Sequence, residues 1–158
     1  MVPTYCIDTS SLVAAWIERY PIQNFPGLWA RLDQVINARE IVASAEVLRE
    51  VKRRDDSLYK WCRERSDLFV EVDEACQDYV LAIMAKYPRF VDTRTGKNSG
   101  DPFVIALAQT YAPRLTVVTE ENGGSASRPA IPFVCAAEGI PHTKFLALIQ
   151  RYGWRFAQ

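Results

Sequence analysis

The chain has 158 residues, of which 49% are hydrophobic and 24% charged, a composition typical of one globular domain. Its 19 basic and 19 acidic residues balance, which excludes a protein that holds nucleic acid by overall charge alone. No apolar run is long enough to cross a membrane and no leader opens the chain. We therefore expect one cytoplasmic domain over residues 1–158.

Strands and helices alternate along the chain, which predicts a three-layer α/β/α sandwich around a mainly parallel sheet. The predicted strands are the apolar run of Val2, Tyr5, Cys6 and Ile7, then Glu40–Ser44, Leu115–Thr119 and Ile140–Thr143, with Leu68–Val72 as either an edge strand or an extended connector. The predicted helices are Ser11–Tyr20, Leu28–Ala38, Ala45–Arg54, Ser57–Arg65, Asp73–Tyr87, Asp101–Tyr111, Phe133–Glu138 and Phe145–Tyr152. Ser44 is expected to cap the third helix, and either Ser10 or Ser11 the first.

The cysteines and the histidine do not form a metal-binding pattern. Four cysteines are scattered without a C-x-x-C pair, at positions Cys6, Cys62, Cys76 and Cys135. We expect them to be reduced thiols in the core, as is usual in the cytoplasm. The single histidine, His142, cannot complete a zinc site with them at any standard spacing, so we expect a structural or surface role.

Three acidic residues stand where a parallel sheet would bring them to one edge. Asp8 ends the first predicted strand, Glu121 closely follows the strand Leu115–Thr119, and Asp101 opens the apolar helix before that strand. In open α/β sheets the carboxyl ends of the strands share one edge, where ligands bind. We therefore expect Asp8 and Glu121 to meet there, with Asp101 beside them.

A fourth acid is expected from the helix Ala45–Arg54, which offers Glu46 and Glu50. At about 100° of rotation per residue, Glu50 lies nearer than Glu46 to the apolar face of this helix. Glu50 is therefore predicted to reach the edge of the core. Glu46 is predicted to face water, as a first-turn acid favoured by the helix dipole.

Four carboxylates in one pocket repel one another, and a cation would offset their charge. Mg²⁺ and Mn²⁺ prefer oxygen ligands, and such a site polarises a phosphodiester and activates a water molecule. We expect Mg²⁺ or Mn²⁺ as the cofactor and cleavage of nucleic acid as the reaction. Three nearby hydroxyl residues, Thr9, Ser10 and Thr119, are expected to orient the water or the carboxylates.

Four motifs in this order resemble those of PIN domains. They are I-D-T-S-S-L at Ile7–Leu12, S-A-E-V-L-R-E-V at Ser44–Val51, G-D-P-F-V-I-A-L-A at Gly100–Ala108 and V-V-T-E-E-N at Val117–Asn122. The chain most resembles the VapC-like toxin ribonucleases of bacterial type II toxin–antitoxin systems. Its C-terminal part resembles a poorly characterised bacterial branch of that superfamily.

The resemblance implies a sheet of about five parallel strands between helices and a metal-dependent endoribonuclease. The positions that match the catalytic, metal-binding acids are Asp8, Glu50, Asp101 and Glu121. Glu121 stands where the family more often has Asp, which bears on whether one metal ion or two are bound. The resemblance also implies a homodimer and a cognate antitoxin protein whose tail covers the acidic pocket, with no membrane involved.

Basic residues concentrate on the third and fourth predicted helices and in the loop before Asp101. A run of charges is most often a solvated helix face. Because this run lies next to the expected site, we predict that it forms an RNA-binding track. The predicted members of the track are Arg49, Arg53, Arg54 and Lys97.

Each acid also has a simpler interpretation as a turn former, a helix cap, a surface ion pair or a solvated turn residue. In that order these apply to Asp8, to Asp101, to Glu50 with Arg54, and to Glu121. The neighbouring Glu120 is interpreted as a solvated turn residue. For Asp101 we expect capping and metal binding together.

Two other function classes compete with a nuclease. One is a catalytically inactive PIN-like scaffold that binds RNA or a protein partner. The other is a receiver-type signalling domain, which is disfavoured because the strand Glu40–Ser44 ends without an acid and no lysine directly follows Thr119.

Overall fold

A parallel sheet forms the centre of the computed structural model, which describes residues 2–92, 94–96 and 98–156. Among these residues its five strands are β1 (Tyr5–Ile7), β2 (Ile41–Ser44), β3 (Phe69–Val70), β4 (Thr116–Val118) and β5 (His142–Thr143). The helices are α1 (Thr9–Val13), α2 (Pro26–Asn37), α3 (Ala45–Arg54), α4 (Asp56–Arg63), α5 (Glu74–Lys86), α6 (Asp101–Gln109), α7 (Ile131–Glu138) and α8 (Phe145–Tyr152).

The strand order is β3-β2-β1-β4-β5, and every neighbouring pair is parallel. Cys6 in β1 is opposite Val42 in β2 and Val117 in β4. Right-handed crossovers put α1 to α4 on one face of such a sheet and α5 to α7 on the other. The expected fold class, a three-layer α/β/α sandwich with a parallel five-stranded sheet, is confirmed.

Helix α6 is apolar almost all round because it lies in the middle of one layer. It packs against β1, β2 and β4 on one side and against α5 and α7 on the others. Val104, Ile105 and Leu107 are buried, and each such side chain contributes about 1.5–3 kcal/mol relative to an exposed one. This packing fixes the position of Asp101, the first residue of the helix.

The start of α3 matches the sequence prediction, whereas the start of α1 does not. Ser44 caps α3 as predicted, accepting a hydrogen bond from the Glu46 N–H at 3.2 Å. Helix α1, however, is capped by Asp8, whose side chain accepts from the Ser11 N–H, and neither Ser10 nor Ser11 caps it. The helix therefore begins directly at the end of β1, without an intervening turn.

Three tryptophans anchor the segment that follows α1. This segment, Ala14–Arg19, continues the helix as a π-helix and carries Trp16. The ring centroids of Trp16 and Trp61 each lie 5.0 Å from that of the buried Trp29. The Trp16 Nε1–H donates to Ser57 Oγ at 2.8 Å, so the cluster fixes the π-helical segment against α2 and α4.

All four cysteines are buried free thiols, as expected. His142 lies in β5 and is exposed. In the described ranges, no helix combines the length and the apolar character that crossing a membrane requires.

Candidate functional site

The chain reverses its direction of progress through the sheet between β1 and β4. From β1 it moves outward through β2 to β3, and it then returns to β4 and continues to β5. At such a switch point the loops after the two central strands separate and leave a crevice at their carboxyl ends. Asp8 follows β1 at this crevice, and Glu120 and Glu121 follow the end of β4.

Asp8 lies at the bottom of the crevice and is 1% exposed. Its Oδ1 accepts from the Ser11 N–H at 2.9 Å, and its Oδ2 accepts from Thr119 Oγ1 at 2.7 Å. Ser10 Oγ lies 2.8 and 2.9 Å from the two carboxylate oxygens. Burial nevertheless raises the pKa of Asp8 to about 7, because these bonds only partly offset the loss of water.

Glu50 reaches the same place from α3, as its position on the helix predicted. Its Oε1 accepts a hydrogen bond from Thr9 Oγ1 at 3.2 Å. Its carboxylate lies against the Cα of Gly100, where a Cβ atom would be only 2.8 Å from Glu50 Cδ. Burial raises the pKa of Glu50, against the opposing effects of the Thr9 hydroxyl and of the Arg53 and Arg54 charges.

Asp101 is the first residue of α6, and its side chain makes no capping bond. Gly100 occupies the cap position, so the expected capping role of Asp101 is wrong. Asp101 is 6% exposed, and its Oδ2 has no hydrogen-bond partner. Burial, followed by the neighbouring charges of Glu121 and Asp8, raises the pKa of Asp101 well above its ordinary value.

The two glutamates after β4 turn in different directions. Glu121 Oε1 accepts from the Ile131 N–H at the start of α7, at 3.2 Å. Glu120 Oε2 accepts from the Phe145 N–H at the start of α8, at 2.9 Å, and Oε1 pairs with Arg19. The side chain of Glu120 is 8% exposed, so its interpretation as a solvated turn residue is wrong.

Lys144 holds the loop that contains these glutamates. Its Nζ donates to the carbonyl oxygens of Glu120 and Glu121, at 3.0 and 2.8 Å, and to Asn122 Oδ1 at 2.6 Å. Three bonds from one ammonium group fix the backbone where the chain leaves β4. Lys144 therefore fixes the backbone from which both glutamate side chains extend.

These residues surround an open cleft with a volume of about 510 Å³. Its acidic lining consists of Glu18, Glu50, Asp101, Glu120 and Glu121. The rest of its polar and charged lining consists of Thr9, Ser10, Arg19, Arg54 and Asn98. Asp8 lies behind the lining, connected to it through the hydroxyl groups of Ser10 and Thr119.

A family model supplies the first comparison with known proteins. The model described as "Domain of unknown function (DUF4411)" matches residues 5–156, which is nearly the whole chain. The chain belongs to the DUF4411 family. A search of curated protein sequences finds no match.

Two solved structures resemble this DUF4411 domain. The crystal structure of PAE2754 from Pyrobaculum aerophilum aligns with a TM-score of 0.50 at 16% identity, covering 97% of this chain and 98% of that one. VapBC2 from Rickettsia felis, bound to a DNA fragment from their promoter, aligns with a TM-score of 0.49 at 14% identity. That alignment covers 90% of this chain and 98% of the other. At such identity, the PAE2754 likeness concerns the fold alone.

The donor set of the DUF4411 cleft suits a hard divalent cation, because its acidic groups are carboxylates and Asp101 Oδ2 is buried without a partner. As the side chains lie, no group of three His, Cys, Asp or Glu residues within the described ranges is arranged to surround an ion. Both Asp8 oxygens accept hydrogen bonds, and Glu121 is turned toward Ile131. The metal-binding role of the four acids stays a prediction.

The predicted RNA-binding residues differ in their relation to the cleft. Arg54 lines it, and the charges of Arg53 and Arg54 act on Glu50. Arg49 instead pairs with Glu46, one turn back on α3. Lys97 lies outside the described residues. Their contact with RNA stays a prediction.

Sequence reasoning did not single out several residues that line the cleft: Glu18, Arg19, Asn98 and Glu120. For Glu18 and Arg19, a signal was present in the helical pattern that begins directly after Asp8. A helix that starts at the site and runs past it exposes side chains of its later turns to the same cleft. For Glu120, the deciding partner is the start of α8, which no local pattern indicates.

Proposed function

We propose that this DUF4411 domain is a Mg²⁺- or Mn²⁺-dependent endoribonuclease and the toxin component of a toxin–antitoxin pair. The observation that supports it most strongly is the convergence of Asp8, Glu50, Asp101 and Glu121 on one crevice. Burial and, after it, their mutual repulsion keep the pKa values of three of them raised, which is an unfavourable arrangement unless a cation balances it.

In this proposal Asp8, Glu50 and Asp101 hold the ion, and Glu121 helps directly or through water. When bound, a divalent cation polarises the phosphodiester and makes a neighbouring water more nucleophilic. Asp101 Oδ2 is the best-placed ligand atom because it is buried and has no competing hydrogen bond. For Glu121 to contribute directly, its carboxylate has to leave the Ile131 N–H.

The hydroxyl groups fix the carboxylates in place before substrate binds. Ser10 and Thr119 hold Asp8, and Thr9 holds Glu50. Outer partners of this kind orient metal ligands, and their loss typically reduces metal affinity or activity by about 10- to 100-fold. The predicted role of Thr9, Ser10 and Thr119 in orienting the site is therefore part of the proposal.

The proposal extends to partners through the motif resemblance to VapC-like ribonucleases. We propose that the domain forms a homodimer and that an antitoxin protein inhibits it by covering the acidic cleft. An antitoxin segment with an arginine or lysine would suit a cleft whose lining contains five acids.

A second candidate is an inactive scaffold that binds RNA or a protein without cleaving it. The hydrogen bonds that occupy Asp8 and the turn of Glu121 toward α7 favour it. Metal binding separates the two candidates. The nuclease should bind Mn²⁺ in calorimetry and lose that binding in Asp8→Ala, whereas the scaffold should bind Mn²⁺ no better before the change than after it.

The decisive variant is Asp101→Asn. Asn keeps the size of the side chain but is a much poorer ligand for a divalent ion, and no capping bond is lost because Asp101 makes none. We expect the variant to keep its fold and to lose RNA cleavage, measured on labelled RNA with Mg²⁺ or Mn²⁺ and with a chelator.

Asp73→Asn is the matched control, because Asp73 caps α5 through the Cys76 N–H and Asn caps a helix equally well. It should cleave RNA as the wild type does. Full cleavage by Asp101→Asn, or undiminished cleavage of RNA by the wild type in chelator, would contradict the metal-dependent mechanism.

A further inference from the structure

The lining of the cleft includes two cationic side chains beside its acidic ones. Among the described residues that line it, Arg19 and Arg54 are the cations, against five acids. RNA carries one negative charge per phosphate, so the acidic groups alone would repel it. Any strand that enters the cleft needs cations beside the acids, and these two arginines are in position to supply them.

The two arginines lie on opposite sides of the carboxylates. Arg54 ends α3, the helix that follows β2, and its charge acts on Glu50. Arg19 ends the π-helical segment and pairs with Glu120, which follows β4. Because β1 lies between β2 and β4, Asp8 is at the centre, with one arginine on each side.

Arg19 is bound in a way that leaves it available to a phosphate. Its side chain is 51% exposed, whereas that of Glu120 is 8% exposed. Glu120 keeps a second bond, from the Phe145 N–H, whether or not Arg19 remains. An arginine can bind a phosphate through two parallel N–H groups, which makes phosphate a competitive partner for its guanidinium.

We propose that Arg19 and Arg54 bind backbone phosphates of single-stranded RNA on the two sides of the carboxylates, an inference that rests on the proposed ribonuclease function. A cleft of about 510 Å³ is comparable to a small-molecule site and suits one or two nucleotides of a single strand. Contacts to phosphates position the strand without reading its bases, so this binding is independent of sequence.

The test measures binding by fluorescence anisotropy of a labelled single-stranded RNA, as a function of KCl at one fixed Mg²⁺ concentration. All variants are made in the Asp101→Asn protein, so that cleavage does not consume the probe. Arg19→Gln and Arg54→Gln remove one charge each. The Gln side chain at position 19 still offers Glu120 a hydrogen-bond donor. Arg151→Gln is the matched control because Arg151 is exposed near the end of α8 and does not line the cleft.

Each lost phosphate contact should reduce the slope of log affinity against log salt by about 0.7. We expect this change for Arg19→Gln and for Arg54→Gln and none for Arg151→Gln. Equal slopes in all three variants would overturn the proposal. Cleavage by the wild-type protein is measured separately, so a nuclease whose binding ignores both arginines is distinguishable from a protein that is no nuclease.

A second variant separates phosphate binding from a purely structural ion pair. Glu120→Gln removes the charge that competes for Arg19 and keeps an acceptor for the Phe145 N–H. If Arg19 binds phosphate, this variant should bind RNA severalfold more tightly. Weaker RNA binding by Glu120→Gln would show that the pair only supports the fold, and it would overturn the role of Arg19.

Discussion

Without divalent ions, the folded protein should lose stability as the pH rises from about 4 to about 8, because Asp8, Glu50 and Asp101 all have raised pKa values. In the unfolded chain these groups release their protons near pH 4, whereas the folded protein retains them to higher pH. At a pH between the pKa values of the unfolded and the folded state, the native state binds more protons than the unfolded chain. The free energy of unfolding therefore falls as the pH rises. The contribution of these protonated carboxyl groups to stability is fully present below pH 4. It is lost as the pH rises through their pKa values in the folded protein.

Asp8 gives the scale of the effect. Its pKa is about 7 in the folded protein, against an ordinary value of 3.8, which corresponds to about 4 kcal/mol. A domain of this size has a total stability of about 5–15 kcal/mol. Deprotonation of the site should therefore cost a large share of the stability unless a cation compensates.

The assay is urea unfolding, followed by tryptophan fluorescence, in chelator at about pH 4 and about pH 8. Other groups titrate in this range too. The wild type is therefore compared with Asp101→Asn, which lacks one carboxyl group and has every other titratable group of the wild type. The variant should be more stable than wild type at the higher pH and about equal at the lower one. Added Mg²⁺ should stabilise wild type at the higher pH and affect the variant much less.

The reasoning would be refuted if Asp101→Asn differed from wild type by the same amount at both pH values. A variant that is less stable than wild type at the higher pH would refute it too. Asp73→Asn serves again as the control, since Asp73 caps α5 and does not line the cleft, and its difference from wild type should not depend on Mg²⁺.

Two further changes test how the site is held together. In Gly100→Ala the new Cβ would overlap Glu50 Oε1, so we expect Mn²⁺ affinity in calorimetry to fall by about tenfold or more, with little change in Tm. Unchanged affinity would mean that Glu50 is not a ligand. In Lys144→Met the loop carrying Glu120 and Glu121 loses three hydrogen bonds, so we expect kcat for RNA cleavage to fall by about tenfold and Tm to drop. A lower Tm with kcat intact would limit Lys144 to a structural role.

The elements that meet at the crevice were predictable because their positions follow from general rules. A strand that ends in Asp8, followed by alternating helices and strands, leads to a parallel sheet whose carboxyl ends share an edge. The position of Glu50 follows from the rotation of a helix with one apolar face. These arguments use only local periodicity and one topological rule, and both hold in the structure.

What sequence reasoning missed depends on contacts between distant segments. Glu120 and Glu121 are adjacent and of the same type, yet they turn to the starts of two different helices, α8 and α7. Only the packed arrangement of those helices decides which acid points where. The contact of Glu50 with Gly100 joins residues fifty positions apart, and no pattern within either motif indicates it.

The cap of α1 has a local explanation that the prediction overlooked. Asp, Ser and Thr are all good helix caps, and four of them stand in a row from Asp8 to Ser11. The prediction gave Asp8 to the site and the cap to a serine. In the structure one carboxylate does both, since Asp8 Oδ1 accepts from the Ser11 N–H while Oδ2 accepts from Thr119.

The tryptophan cluster gives the protein a built-in optical reporter. Trp16 is three positions before Arg19 on the same π-helical segment, and its indole packs against that of Trp29. Any displacement of that segment when a ligand enters the cleft should alter the environment of Trp16 and hence the intrinsic emission. Occupancy of the cleft could then be followed in stopped-flow mixing experiments without attaching a dye to either molecule.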